Sequence, residues 1–213
     1  MKRAAIGLRV HSGWTALVAV AVDKDGPRVL LRERPRLVET FTYEFRQPYH
    51  TAEKMPIDKA RSFLAGVESA ARRLAAEAIR SAQGALDNQG FALRASALLL
   101  ASGKPLPDLQ RILASHALIH TADGELFRFA LLDAAERVGV AALAIRERQL
   151  LAAASTRLQL AASGLAKKLT ALGKPVGAPW SKDEKFAALA AWLSLLPGGA
   201  AYRAAVPGAL ASN

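Results

Sequence analysis

Two apolar runs rich in β-branched residues, Ala4–Val10 and Trp14–Val22, flank the polar step His11-Ser12-Gly13. That pattern predicts a β-hairpin. Asp23-Lys24-Asp25-Gly26-Pro27 predicts a turn, and Arg28–Arg34 a third strand. On that strand Arg32, Arg34 and Arg36 share one face, a charged edge of the kind that discourages pairing between sheets. Leu37–Phe45 alternates again, with Leu37, Phe41, Tyr43 and Phe45 on one side, and is expected to extend this strand or add another. Gln47–Thr51 breaks the pattern, and Pro56 with Asp58 marks a helix start.

From Ile57 to about Gln83 the apolar positions Phe63, Val67, Ala70, Ala71, Leu74 and Ala78 follow helical spacing, and 84–90 reads as a loop. Residues 94–101, Arg-Ala-Ser-Ala-Leu-Leu-Leu-Ala, read as a short buried strand, continuous rather than alternating, as in a sheet covered on both faces. A turn over 102–107 leads into a helix from Asp108 to Ile119 or His120. Ala122-Asp123-Gly124-Glu125 is expected to punctuate it before a further helix, Leu126–Arg137. Gly139 stops that helix, and Val140–Ile145 is a second buried strand. A long helix is expected from Glu147 to about Leu172, then a rigid loop, Gly173–Trp180, whose Trp180 pins the last helix to the body. Ser181-Lys182-Asp183-Glu184 is a capping box. The helix it opens carries Phe186, Leu189, Ala190 and Leu193 on one face and ends at Pro197. Beyond about 197 a loose tail is expected, and the whole of 1–213 reads as one α/β domain without internal repeats.

The order β-β-β-α-β-α-β-α is that of the ribonuclease H-like fold, a mixed five-stranded sheet with helices on its faces. A doubly wound sheet of another topology is the alternative. The first hairpin resembles the phosphate-binding hairpin of the ribonuclease H-like and actin/sugar-kinase superfamily. There an aliphatic strand ends in Gly-hydrophobic-Asp, passes a Gly/Ser turn and returns as a second aliphatic strand. In this chain the glycine is Gly7, the turn is Ser12-Gly13, the return strand starts at Thr15, and Arg9 stands where the acid would be. The resemblance implies that nucleases of this fold hold two divalent ions with acids from the first strand, the fourth strand and a later helix. Residues 94–101 carry no acid, and Glu147 is a single survivor, so a nuclease of that type is not expected. For the related kinases and ATPases, the resemblance implies phosphate bound by backbone N–H groups around Ser12, Gly13 and Thr15, with Arg9 as counter-charge. A plain hairpin turn is the alternative. The chain has no room for a second complete nucleotide-binding domain, which a homodimer would supply.

Composition sharpens this picture. The chain has 213 residues, 52% hydrophobic and 22% charged, as in a globular protein, and no cysteine, which removes disulfides and thiolate chemistry. A formal charge of +11 draws nucleic acid, nucleotides or other anions. No secretory signal is apparent, and the apolar run Ala16–Val22 is far too short to span a bilayer. A cytoplasmic protein without membrane contact is expected.

Two further constellations carry chemistry. Ser102-Gly103-Lys104 follows a buried strand, where open α/β sheets bind ligands. With the hairpin turn and Arg146 at the same sheet end, it would form an anion pocket. His116 and His120 lie four apart, a spacing that chelates Zn²⁺ from one helix face, with a third ligand from Asp123, Glu125 or His50. The alternative is a histidine hydrogen-bonded at a helix end. Ser115 beside His116 is no triad, because neighbours on a helix diverge by about 100°. Trp180 with Lys182 and Lys185 has base stacking as a second role. The leading functional expectation is a non-catalytic or degenerate ribonuclease H-like domain binding nucleotide or nucleic-acid phosphate. A protein-interaction module on an Ala/Leu helix face and a metal-dependent hydrolase built on His116 and His120 are the alternatives.

Overall fold

The computed structural model describes residues 1–101 and 105–197. β1 (Lys2–His11) and β2 (Trp14–Asp23) form the hairpin, with Leu8 opposite Leu17 and Val10 opposite Thr15. Gly13 closes the turn at a φ of 79°, a region open to glycine and costly for side chains. β3 (Gly26–Glu33) pairs antiparallel with β2, while β4 (Phe91–Leu100) and β5 (Ala141–Arg146) add in parallel on the other side of β1. The order is β3-β2-β1-β4-β5. Only β2 runs against the rest. This is the ribonuclease H-like arrangement that the element order predicts.

Several sequence expectations are corrected. The alternating segment Leu37–Phe45 forms no strand. Leu37 and Val38 are consecutive and both buried in the same core, and the Leu37 N–H bonds the Gly13 carbonyl, drawing the chain under the hairpin turn. Short helices α1 (Tyr43–Arg46) and α2 (Pro48–Ala52) follow, the second opened by Pro48 in the first-turn position that suits proline. α3 (Ile57–Asp87) runs straight through Gly84, because Leu86 is still a core residue beyond it. α4 (Leu109–Leu113), capped by Asp108, ends at Ala114, and α5 (His116–Arg137) then continues without a break past Asp123 and Glu125. The Asp123 carboxylate bonds groups of α2 instead of its own backbone, so it does not turn the chain. The expected long helix splits at Gln159, which adopts a left-handed φ of 52° between α6 (Glu147–Leu158) and α7 (Ala162–Gly173). α8 (Lys182–Leu195) begins with the expected capping box. The tail expected beyond about 197 lies outside the described residues.

The sheet is covered on both faces. Ile6, Leu8, Leu17, Ala19 and Leu98 pack with α3 and α5 in one core. Ala5, Val18, Val20, Ala97, Leu99, Leu143 and Ile145 pack with α6, α7 and α8 in the other. α8 lies against β1 itself. A Cβ built on Gly7 would stand 1.8 Å from the Ala187 carbonyl oxygen, so only glycine lets the helix backbone approach so closely. Among the described residues no helix is long and apolar enough to cross a membrane.

Candidate functional site

Arg9 leaves β1 on the α8 face of the sheet, near the carboxyl ends of the parallel strands. Its Nε and Nη2 donate to the two Glu147 carboxylate oxygens at 3.0 and 2.8 Å, and its Nη1 donates to Asp183. His11 Nε2 also lies 3.1 Å from Asp183, and the Lys182 ammonium 3.7 Å from Glu147. Burial works against the Arg9 charge, but Glu147 first and Asp183 second outweigh it and hold its pKa above the ordinary arginine value. Burial likewise works against the Glu147 carboxylate, and the Arg9 bonds outweigh it, so Glu147 titrates below its usual range. Three chain regions thus meet here: the end of the first strand, the start of the helix after β5, and the first turn of α8.

This donor set does not fit the two divalent ions of nucleases with this fold. β1 presents a cation, β4 carries no acid, and a guanidinium already lies between the two remaining carboxylates. Glu147 was legible as a surviving acid. Asp183 was not, because in sequence it is one letter of a capping box.

The remaining residues of the expected phosphate site are only partly brought together. Gly7 serves helix packing. Thr15 is fully buried, its hydroxyl donating to the Arg9 carbonyl at 3.1 Å and its N–H to the Pro35 carbonyl, so it is committed to the fold and corrects its reading as a phosphate ligand. Arg9, too, is held by the carboxylates of Glu147 and Asp183 and not turned toward the Ser12-Gly13 turn as a phosphate counter-charge. Leu100 pairs with Arg146, while Leu99 pairs with Ile145 on the face of Arg9. Side-chain alternation therefore puts Arg146, which is exposed, on the opposite face from Arg9. Ser102, Gly103 and Lys104 lie outside the described residues.

At the Ser12-Gly13 turn the structure places different cations. Arg46 donates from Nε to the Ser12 carbonyl at 3.3 Å, and its guanidinium lies 4.6 Å from the centre of the exposed Phe41 ring. Arg36 covers the same ring at 5.0 Å and has no hydrogen-bond or ion-pair partner among the described residues. Beside them His11 stacks on Trp14 at 4.3 Å, and Arg34 lies over Trp14 at 5.0 Å. This arginine–aromatic surface is invisible in sequence, where its members are scattered between positions 11 and 46. The expected basic stripe divides. Arg32 donates to the carbonyls of Gly177, Ala178 and Pro179, and Arg34 to the buried Glu184 at 2.8 Å, leaving Arg36 to solvent. Trp180 donates to the Leu169 carbonyl at 2.7 Å and packs against Gly173, the anchoring role expected of it.

On the other sheet face, His116 and His120 in the first turns of α5 meet His50 of α2, and one nitrogen of each lies within 4.8 Å of the others. The His116 and His120 Nε2 atoms are 3.1 Å apart. Of the three candidates for a third partner, His50 is the one brought in. Asp123 stands behind it, 2.5 Å from His50 Nδ1, and Glu125 is buried facing Arg128.

A five-stranded sheet with one antiparallel strand, in this order and covered by helices on both faces, defines an α/β protein of ribonuclease H-like fold. No protein-family model and no curated protein matches the chain. Among solved structures it is similar to RuvC of Thermus thermophilus in complex with a Holliday junction substrate. Identity there is 16%, with 89% of this chain and 90% of that one covered, at a TM-score of 0.49. A second Thermus thermophilus RuvC structure gives 16% identity, coverage of 89% and 91%, and a TM-score of 0.48.

Proposed function

We propose that this chain is a non-cleaving ribonuclease H-like domain that binds nucleic acid through its phosphates. The observation that carries the reading is Arg9 lodged between Glu147 and Asp183. A tethered guanidinium takes the space between acids that a nuclease would give to metal, so the fold is kept and the metal chemistry is not. Contact with nucleic acid is assigned to the surface around the Ser12-Gly13 turn. There Arg36 and Arg46, laid against the exposed Phe41 ring, offer cations to phosphate. The formal charge of +11 adds a long-range attraction.

Fluorescence anisotropy with labelled single-stranded DNA, duplex, four-way junction and RNA tests this across a salt series. Binding should weaken steeply with salt. The double variant Arg36→Ala/Arg46→Ala should lower the slope of log K against log salt by about 2, because two phosphates are no longer neutralised. ATP and inorganic phosphate serve as competitors and report a nucleotide site. Absence of salt-dependent binding to every nucleic acid at low salt would sink the proposal. So would Mg²⁺- or Mn²⁺-dependent cleavage of any of them by the unaltered protein.

A further inference from the structure

We infer that His50, His116 and His120 form a zinc site that fastens α2 to the start of α5, with Asp123 orienting His50 from behind. The site lies on the α3/α5 side of the sheet, on the opposite face from Arg9, and is independent of the nucleic-acid reading.

The geometry is that of a metal centre. Three imidazoles from two helices converge, with ring centroids 4.4, 4.5 and 5.4 Å apart and planes crossed at 69 to 87°. Bonds of about 2.05 Å to a tetrahedral ion place two nitrogens roughly 3.3 Å apart, close to the 3.1 Å between His116 and His120 Nε2. His50 is fixed for the role. Its Nδ1 is bonded to Asp123 Oδ2 at 2.5 Å, which leaves Nε2 to face the ion. The other Asp123 oxygen accepts the Tyr49 N–H at 2.7 Å, and the carboxylate is buried. This is the carboxylate–histidine–metal relay that raises ligand basicity and fixes the tautomer. A buried carboxylate is costly unless it is used, and here both its oxygens are directed at α2.

The donors select the ion. Three neutral nitrogens and no carboxylate in the inner shell suit Zn²⁺ and disfavour Mg²⁺ or Ca²⁺, which take oxygen. His116 and His120 are exposed, so the fourth position opens to solvent and takes water or an outside ligand. The site is therefore an open one, unlike closed four-ligand structural sites.

Elemental analysis and calorimetric titration on protein purified without a histidine tag test the inference. Near one equivalent of Zn²⁺ per chain is expected, with a rise of several degrees in the melting midpoint and no such rise with Mg²⁺. Co²⁺ substitution should give the intense visible bands of a tetrahedral ion. The exposed His116→Gln and His120→Gln variants should each abolish stoichiometric binding while circular dichroism stays unchanged. Asp123→Asn should weaken affinity about 10- to 100-fold. Should Asp123→Asn not fold, the two exposed histidine variants still decide. The inference is overturned by absence of saturable Zn²⁺ binding, or by binding that survives both histidine substitutions.

Discussion

Replacing Arg9 by glutamine keeps a polar side chain but removes the guanidinium whose charge Glu147 and Asp183 share. The three side chains are 16%, 30% and 18% exposed, so water reaches the pair only in part. Removing one partner of a buried ion pair costs about 3–5 kcal/mol, because the other charge is left unpaired. Partial exposure of Glu147 brings the expectation to the low end, about 3 kcal/mol. For a domain of this size that lowers the melting midpoint by roughly 6–12 °C. The pH dependence fixes the cause. The folded-state pKa of Glu147 lies below its unfolded value, so the stability it contributes is complete above about pH 4.3 and is lost as pH falls through the depressed value. The difference between Arg9→Gln and the unaltered protein should therefore be full at pH 7 and shrink below about pH 4.3 as Glu147 protonates. Arg9→Asp extends the test. It should be destabilised more than Arg9→Gln, and Mn²⁺ or Mg²⁺ should recover part of the loss by bridging the added acid to Glu147 and Asp183. Scanning calorimetry of the three proteins across pH, with and without divalent ion, measures all of this. A midpoint change below about 2 °C for Arg9→Gln at pH 7, under about 1 kcal/mol, would refute the reasoning.

Gly7→Ala should destabilise by about 3 kcal/mol or more or prevent folding, since the added methyl meets the Ala187 carbonyl, while Gly66→Ala, in open space on α3, should stabilise by about 0.5–1 kcal/mol. Thermal melts of the pair separate backbone contact from glycine content. Ser181→Ala should cost about 1 kcal/mol, read as a fall of roughly 2–4 °C, by removing the acceptor for the Asp183 N–H and the hydroxyl bonded to Glu184. Glu184→Gln should cost about 1–3 kcal/mol at pH 7 because Arg34 and the Ser181 N–H lose a charged acceptor. The folded-state pKa of Glu184 is lowered: burial opposes its charge, and the bonds from Ser181 and Arg34 outweigh that cost. The penalty should therefore fade in acid melts below about pH 4.3.

The sheet was legible because its strands announce themselves. β1 and β2 are apolar runs around a glycine turn, and β4 and β5 are short continuous runs of the kind both-face burial selects. What the chain hid depended on distant partners. Leu37–Phe45 has the period of a strand, but its fate is decided by Gly13, whose carbonyl takes the Leu37 N–H. Asp123-Gly124 has the letters of a turn, but the carboxylate is claimed by His50, 73 positions away. Gln159 adopts a glycine-like backbone without being glycine, and local propensity offers no warning of that. The acid position held by Arg9 was visible. That its charge would be met by Glu147 and Asp183, 138 and 174 positions on, was not.

The seating of α8 also bears on how the protein is made. The last described helix along the chain lies over the first strand, with Arg9 and Asp183 separated by 174 positions. On the ribosome all five strands emerge before the segment that shields Ala5, Val18, Val20, Ala97 and Leu99. Until then one face of the sheet has only α6 and α7 to cover it, and its centre is open to other chains. Contacts of such long range slow folding and prolong the exposure of aggregation-prone surface. A nascent chain arrested before residue 182 is thus a natural client for a chaperone, and release of α8 is the moment at which it ceases to be one.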